Sequence, residues 1–201
     1  MIRVFVCAMV VLLLASSAAW TAPVTLTFDE YLNIPVNGMT VKGVTFGFTG
    51  GDATYGTEAG PGPVAGFFNP PDLEGSTSGT LTMSFADPTT SLSFSGSLNN
   101  AEMIFISPAF YLALFGPTSQ LIGNFTMDVA RQPNDGLYPV GQFSYSGSLV
   151  SRVVVTFNSA VAPRFAIDNL TYDGVIPEPS TVLALLCGVA GMGGLLWRRR
   201  K

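Results

Sequence analysis

Residues 80–85 read Thr-Leu-Thr-Met-Ser-Phe and residues 91–95 read Ser-Leu-Ser-Phe-Ser, a two-residue alternation of polar and apolar side chains. Successive side chains of an extended strand point to opposite faces, so this period places one face in a core and the other in water, and a helix has no use for it. Half-buried antiparallel strands are expected here, with Ala86-Asp87-Pro88-Thr89-Thr90 as the turn between them. Similar short runs, bounded by turn residues, lie at 24–28, 41–48, 102–106, 110–115, 121–129, 142–145, 149–157 and 165–172. About ten short strands in about 150 residues predict two packed sheets, an all-β antiparallel β-sandwich or jelly roll. No internal repeat of about 20–50 residues is visible, so neither a propeller nor a solenoid is expected.

Residues 50–79 break the alternation with eight glycines and four prolines. A long irregular surface excursion is expected, and structureless loops above about 12–15 residues are uncommon in compact domains and often functional. Tyr55, Phe67 and Phe68, with Tyr138 further along, are the candidates for stacking on the apolar faces of sugar rings. Phe67 and Phe68 can equally pin the loop to the sheet, and packing is the weightier reading.

The mean hydropathy of +0.43 comes largely from the two ends of the 201-residue chain. Arg3, an apolar run over 4–15 and the small residues Ser16, Ser17, Ala18 and Ala19 have the order of a secretory signal peptide over residues 1–19, with cleavage expected before Trp20. Its apolar run, about a dozen residues, is too short to span a bilayer, which needs about 20. Residues 180–197 carry no charge and are predicted to be a transmembrane helix that just spans the hydrocarbon. Trp197 suits the headgroup interface, and Arg198, Arg199, Arg200 and Lys201 hold that end in the cytoplasm, so residues 20–176 face the periplasmic side as an ectodomain. Ala184, Gly188, Gly191 and Gly194 give the helix a small-residue face, for which ordinary glycine usage is favoured over helix pairing. Just before it, Pro177 and Pro179 bracket Glu178 and bias Ile176 and Glu178 toward the extended form that a protease cleft accepts.

Pro177-Glu178-Pro179, an apolar helix and a terminal arginine cluster together resemble the PEP-CTERM sorting signal of Gram-negative bacteria that make extracellular polysaccharide. The resemblance covers residues 177–201 and is silent on the activity of the rest. It implies exosortase, a membrane-embedded transpeptidase-like enzyme, as partner, with removal of the tail at or near Pro177 to Pro179. It further implies export through the inner membrane, transient anchoring there, and delivery to the cell surface, the extracellular matrix or a biofilm, in contact with exopolysaccharide. The opening residues 24–30 and closing residues 164–172 are similar to the terminal strands of PEP-CTERM ectodomains and of jelly-roll carbohydrate-binding modules. In such modules the terminal strands are often neighbours whose acids can hold a structural calcium, which makes Asp29, Glu30 and Asp168 the candidate ligands. Calcium takes about six to eight oxygens, and this spacing is no self-contained loop motif. The competing reading has Asp168 and Asn169 in a bulge or cap, and Asp29 and Glu30 ending a strand in solvent.

Composition removes several functions. Residues 23–176 hold twelve acids against Lys42, Arg131, Arg152 and Arg164, a net charge of −8 that repels phosphate backbones, so no nucleic-acid partner is expected. Both cysteines, Cys7 and Cys187, lie in the apolar ends, which leaves the ectodomain without a thiol or a disulfide, and Cys7 follows Phe5-Val6 rather than a lipobox. The chain has no histidine, which removes imidazole catalysis and His-ligated zinc. Gly60-Pro61-Gly62-Pro63 lacks the Gly-Lys-Ser/Thr of a phosphate loop. Asp29 with Glu30, Asp72 with Glu74, and Asp128 with Asp135 are the pairs a glycosidase would need, but solvated surface charge is the stronger reading of each. No catalytic residue is assigned. The chain is expected to be a non-enzymatic structural or adhesive surface component associated with exopolysaccharide, or alternatively a jelly-roll carbohydrate-binding module with a structural calcium.

Overall fold

A computed structural model describes residues 21–133 and 135–175, and the expected signal peptide, the sorting motif Pro177-Glu178-Pro179, the expected transmembrane helix and the basic tail lie outside the described residues. The described residues form eleven strands: β1 Thr21–Leu26, β2 Ile34–Pro35, β3 Thr40–Val41, β4 Val44–Thr49, β5 Ala53–Thr57, β6 Asp72–Ser76, β7 Thr80–Leu98, β8 Phe105–Phe115, β9 Leu121–Gln132, β10 Asp135–Phe157 and β11 Arg164–Val175. All strand pairings are antiparallel, in the order β2-β5-β6-β11-β7-β10-β8-β9, with β1 added on β11 and the β3–β4 hairpin on β7.

The two longest strands build both layers. Residues 80–85 of β7 pair with β4 and with residues 152–156 of β10, whereas residues 92–98 of β7 pair with β11 and residues 140–145 of β10. Register shifts between Ser146 and Arg152 mark the place where the pair bends, as extra residues in one strand kink and twist a ladder. One end of the pair therefore lies in a front layer with β4, β8 and β9, and the other in a back layer with β11, β6 and β5. The two layers face one another through aromatic rings. Phe157 of β10 stacks on Phe165 of β11 at 3.8 Å between centroids and 9° between planes. Phe46 of β4 meets Tyr55 of β5 at 5.9 Å, and Phe85 of β7 meets Tyr172 of β11 at 5.1 Å. This is an all-β antiparallel sandwich whose main core runs from Leu26 to Tyr172, and residues 23–174 form one compact unit.

The alternation behaves as expected at residues 80–85, where Leu81, Met83 and Phe85 are buried and Thr80, Thr82 and Ser84 are half-exposed. Two expectations need correction. Residues 86–90 are not a turn, because β7 runs through them. The Thr89 hydroxyl donates to the carbonyl of Ser91 and accepts from the backbone N–H of Asp173, so the bend keeps its polar groups satisfied without reversing the chain. Residues 50–79 are not structureless either, since they hold β5 and β6. Their glycines serve close approach. A Cβ on Gly56, at φ 69°, would stand 1.8 Å from the carbonyl oxygen of Tyr31, and one on Gly75 would stand 2.7 Å from the Phe165 ring.

Phe165 touches both layers, contacting Phe157 and also Phe48 at 6.0 Å. Phe165→Ala leaves a ring-sized hole at their junction and is expected to cost about 3–5 kcal/mol, read as a lowered urea midpoint with an unchanged m-value.

Candidate functional site

The outer face of the front layer is set by strand register. Thr49, Thr80, Thr156, Tyr111 and Thr126 lie side by side across β4, β7, β10, β8 and β9. The next rung is Gly47, Thr82, Val154, Ala113 and Asn124, and the one after it Thr45, Ser84, Arg152, Phe115 and Leu121. Their neighbours Leu81, Met83, Leu112, Leu114, Val153 and Val155 are buried, so strand alternation turns the rungs outward. A cavity of about 690 Å³ opens here, lined by Tyr111, Ala113, Asn124, Thr126, Val154 and Thr156 among others. Tyr111 is 42% exposed within it. On the third rung the Arg152 guanidinium sits 4.4 Å from the centroid of the Phe115 ring, which holds the cation against the sheet.

These rungs carry hydroxyls, one amide, one exposed tyrosine and one cation, and no carboxylate. Such a face offers short donors and acceptors around an aromatic plate. It suits a ligand with many hydroxyls and apolar ring faces.

The aromatic residues singled out from sequence lie elsewhere. Tyr55 is fully buried against Phe28 and Phe46, and Phe68 is buried with Val64, Val140 and Ala166, so neither presents a face to a ligand. Phe67 is half-buried against that same small cluster, and Tyr138 is half-buried on β10. Tyr111 was hidden because Phe110-Tyr111-Leu112 is an unbroken apolar run in which period two cannot be read.

The candidate acids near the terminal strands lie in two separate places. Glu30 accepts from Lys42 Nζ at 2.6 Å, from the Tyr55 hydroxyl at 2.5 Å and from the backbone N–H of Thr27 at 3.3 Å. Burial would raise its pKa, but the Lys42 and Tyr55 donors outweigh that and hold it below the usual carboxylate range. Burial, and then Glu30 itself, push the Tyr55 phenol up. Asp29 is exposed and accepts from the Thr27 hydroxyl at 2.6 Å.

Asp168 is fully buried, and its two oxygens accept from the backbone N–H groups of Asn69 at 2.7 Å and Asn169 at 2.6 Å. The register shift between Asp168 and Thr171, with Asn169 at φ 55°, makes this a bulge. Burial pushes Asp168 up to about 6 against the pull of its two N–H donors, and Asp29 and Glu30 add to the rise. Among the described residues no group of three or more Asp, Glu, His or Cys side chains is placed to hold a metal ion.

Asp72 and Glu74, expected in solvent, are buried. The reason is the segment between β5 and β6, which folds over this face of β6 and brings Gly60 against Asp72 Oδ2. Glu74 is satisfied by Arg164 Nε at 3.2 Å and Asn99 Nδ2 at 3.1 Å. Neither oxygen of Asp72 meets a partner among the described residues, and burial, then Asp168 and Glu74, push its pKa up to about 8.

Among solved structures the chain is similar to a variant of a family 29 carbohydrate binding module studied for ligand recognition, at 10% identity and a TM-score of 0.40, covering 80% of this chain and 100% of that one. It is also similar to a family 29 module from Piromyces equi, at 8% identity and a TM-score of 0.41, covering 76% and 90% of the two chains. Likenesses this distant do not bear on function. No curated protein matches the chain in sequence. The one family match lies in the tail, beginning where β11 ends and including Pro177-Glu178-Pro179, Trp197, Arg198, Arg199, Arg200 and Lys201: at residues 175–201 the chain carries the PEP-CTERM protein-sorting motif.

Proposed function

We propose that this is an exported surface protein, sorted by exosortase through its tail, whose β domain holds exopolysaccharide without transforming it. The sorting motif supports delivery to the cell surface. The observation that carries the domain's role is the outer face of the front layer, three in-register rungs of mostly hydroxyl-bearing side chains around a groove in which Tyr111 stands exposed. A pyranose ring stacks its apolar C–H face on the tyrosine while Thr126, Asn124 and Thr156 exchange hydrogen bonds with ring hydroxyls. Neutral hydroxyl partners give many weak contacts rather than one strong one. That suits adhesion to a polymer, where neighbouring sites act together.

Tyr111 is 42% exposed on the interior strand β8, so Tyr111→Ala is expected to keep the fold at a cost of about 1 kcal/mol in strand propensity. It is expected to weaken binding to the producing cell's exopolysaccharide by about 5–30-fold, a loss of about 1–2 kcal/mol, measured by affinity electrophoresis. Equal retardation of the two proteins in the polysaccharide gel removes the groove from the proposal and leaves a structural role without glycan contact.

The sorting step is tested separately. Replacing Pro177, Glu178 and Pro179 together by alanine is expected to leave the full-length protein in the inner-membrane fraction, with the extracellular fraction depleted. Unchanged processing of that variant would sink exosortase recognition.

A further inference from the structure

The back layer holds a second arrangement, independent of the groove. The register that pairs Ile167 with Leu73 and Asp168 with Ser95 sets Asp72, Asp168 and Ser95 on one rung across β6, β11 and β7. All three are buried, at 0%, 0% and 1% exposure. Both Asp72 oxygens and the Ser95 hydroxyl lack a hydrogen-bond partner among the described residues. The segment between β5 and β6 closes over the rung. A Cβ on Gly60 would fall 1.9 Å from Asp72 Oδ2, the backbone N–H of Asn69 reaches Asp168, and the carbonyl of Phe67 accepts from Asn169 Nδ2.

A buried carboxylate with nothing bound to it costs several kcal/mol, and native proteins rarely tolerate one. A neutral Asp72 donating its O–H to a spare lone pair of Asp168 on the same rung is the competing resolution, and calcium titration separates the two. We propose that Asp72, Asp168 and Ser95 bind a hard divalent cation of calcium size beneath this segment. Each Asp168 oxygen spends one lone pair on a backbone N–H and keeps another for the ion. The carboxylates of Asp72 and Asp168 supply two negative charges to match the cation, Ser95 adds a neutral oxygen, and backbone carbonyls and water complete the six to eight that calcium takes. This is not the set expected from sequence. Asp168 is common to both, but Glu30 is committed to Lys42 and Tyr55 and Asp29 is exposed. The ion would fasten the overlying segment to the sheet, and so act as a structural clamp.

The test is the melting temperature of the purified protein in EDTA and in calcium, with calorimetric titration of calcium into the chelated protein. At calcium a hundredfold above its dissociation constant, a rise of about 5–10 °C is expected, with one ion per chain. Ser95→Ala should weaken binding, Asp72→Asn should abolish the shift, and Glu30→Gln should keep it. Should Asp72→Asn fail to fold, the parent titration together with the Ser95→Ala and Glu30→Gln comparison decides. Equal melting in EDTA and calcium with no heat of binding overturns the site, as does a response lost in Glu30→Gln and intact in Ser95→Ala. None of these readouts involves polysaccharide, so failure here leaves the groove untouched.

Discussion

Everything in this domain depends on the antiparallel pairing of β7 with β10 through a bend. Two strands of 19 and 23 residues stay hydrogen-bonded while passing from one layer to the other, so the layers are joined by backbone ladder as well as by packing. The price of the bend is a stretch of mismatched register, which the Thr89 hydroxyl helps to satisfy. Phe157 and Phe165 then close the layers, one ring from each, and Phe165 has room because Gly75 has no side chain.

This arrangement leaves the two outer faces unlike each other. The front layer's outer rungs stay open and carry threonines, an asparagine and a tyrosine. The back layer's outer face is covered by the glycine- and proline-rich segment leading into β6, which buries Val64, Phe68, Val140 and Ala166 as a second small core. Polar groups on the open face can be satisfied by water. Those beneath the cover cannot, and there each acid must find its own partner: Arg164 and Asn99 for Glu74, and backbone N–H groups for Asp168. Asp72 is the residue for which the described protein atoms supply none.

Much of the fold was legible. Period two in 80–85 named the strand and its buried face, and in 91–95 it named Leu92 and Phe94 as core, because alternation is a local consequence of extended backbone. Ser95, expected in water, is buried. Continuity was not legible. Asp87 and Pro88 look like a turn, and only a neighbouring strand can show that a bulge absorbs them. β5 and β6 were missed because they lie in a glycine- and proline-rich stretch that reads as loop, and because Asp72 and Glu74, acids that sequence assigns to solvent, are buried. The candidate site was legible in part. Asp168 and Glu30 were singled out as candidate calcium ligands, but the protein partners the fold gives them come from positions up to 99 residues away. Tyr55 and Phe68 looked available because sequence distinguishes an aromatic residue from a polar one, but not a core ring from an exposed ring.

By itself, then, the sequence determined strand chemistry, a composition without histidine, and a tail of Pro-Glu-Pro, apolar run and arginine cluster, where residues 175–201 carry the PEP-CTERM motif. Each of these is written in consecutive residues or in composition. Tertiary structure alone decided which residues share a rung, which aromatic meets water and which acid is sealed from it. Those properties depend on pairing between strands far apart in the chain, and a single step of register would turn every side chain of a strand to its opposite face.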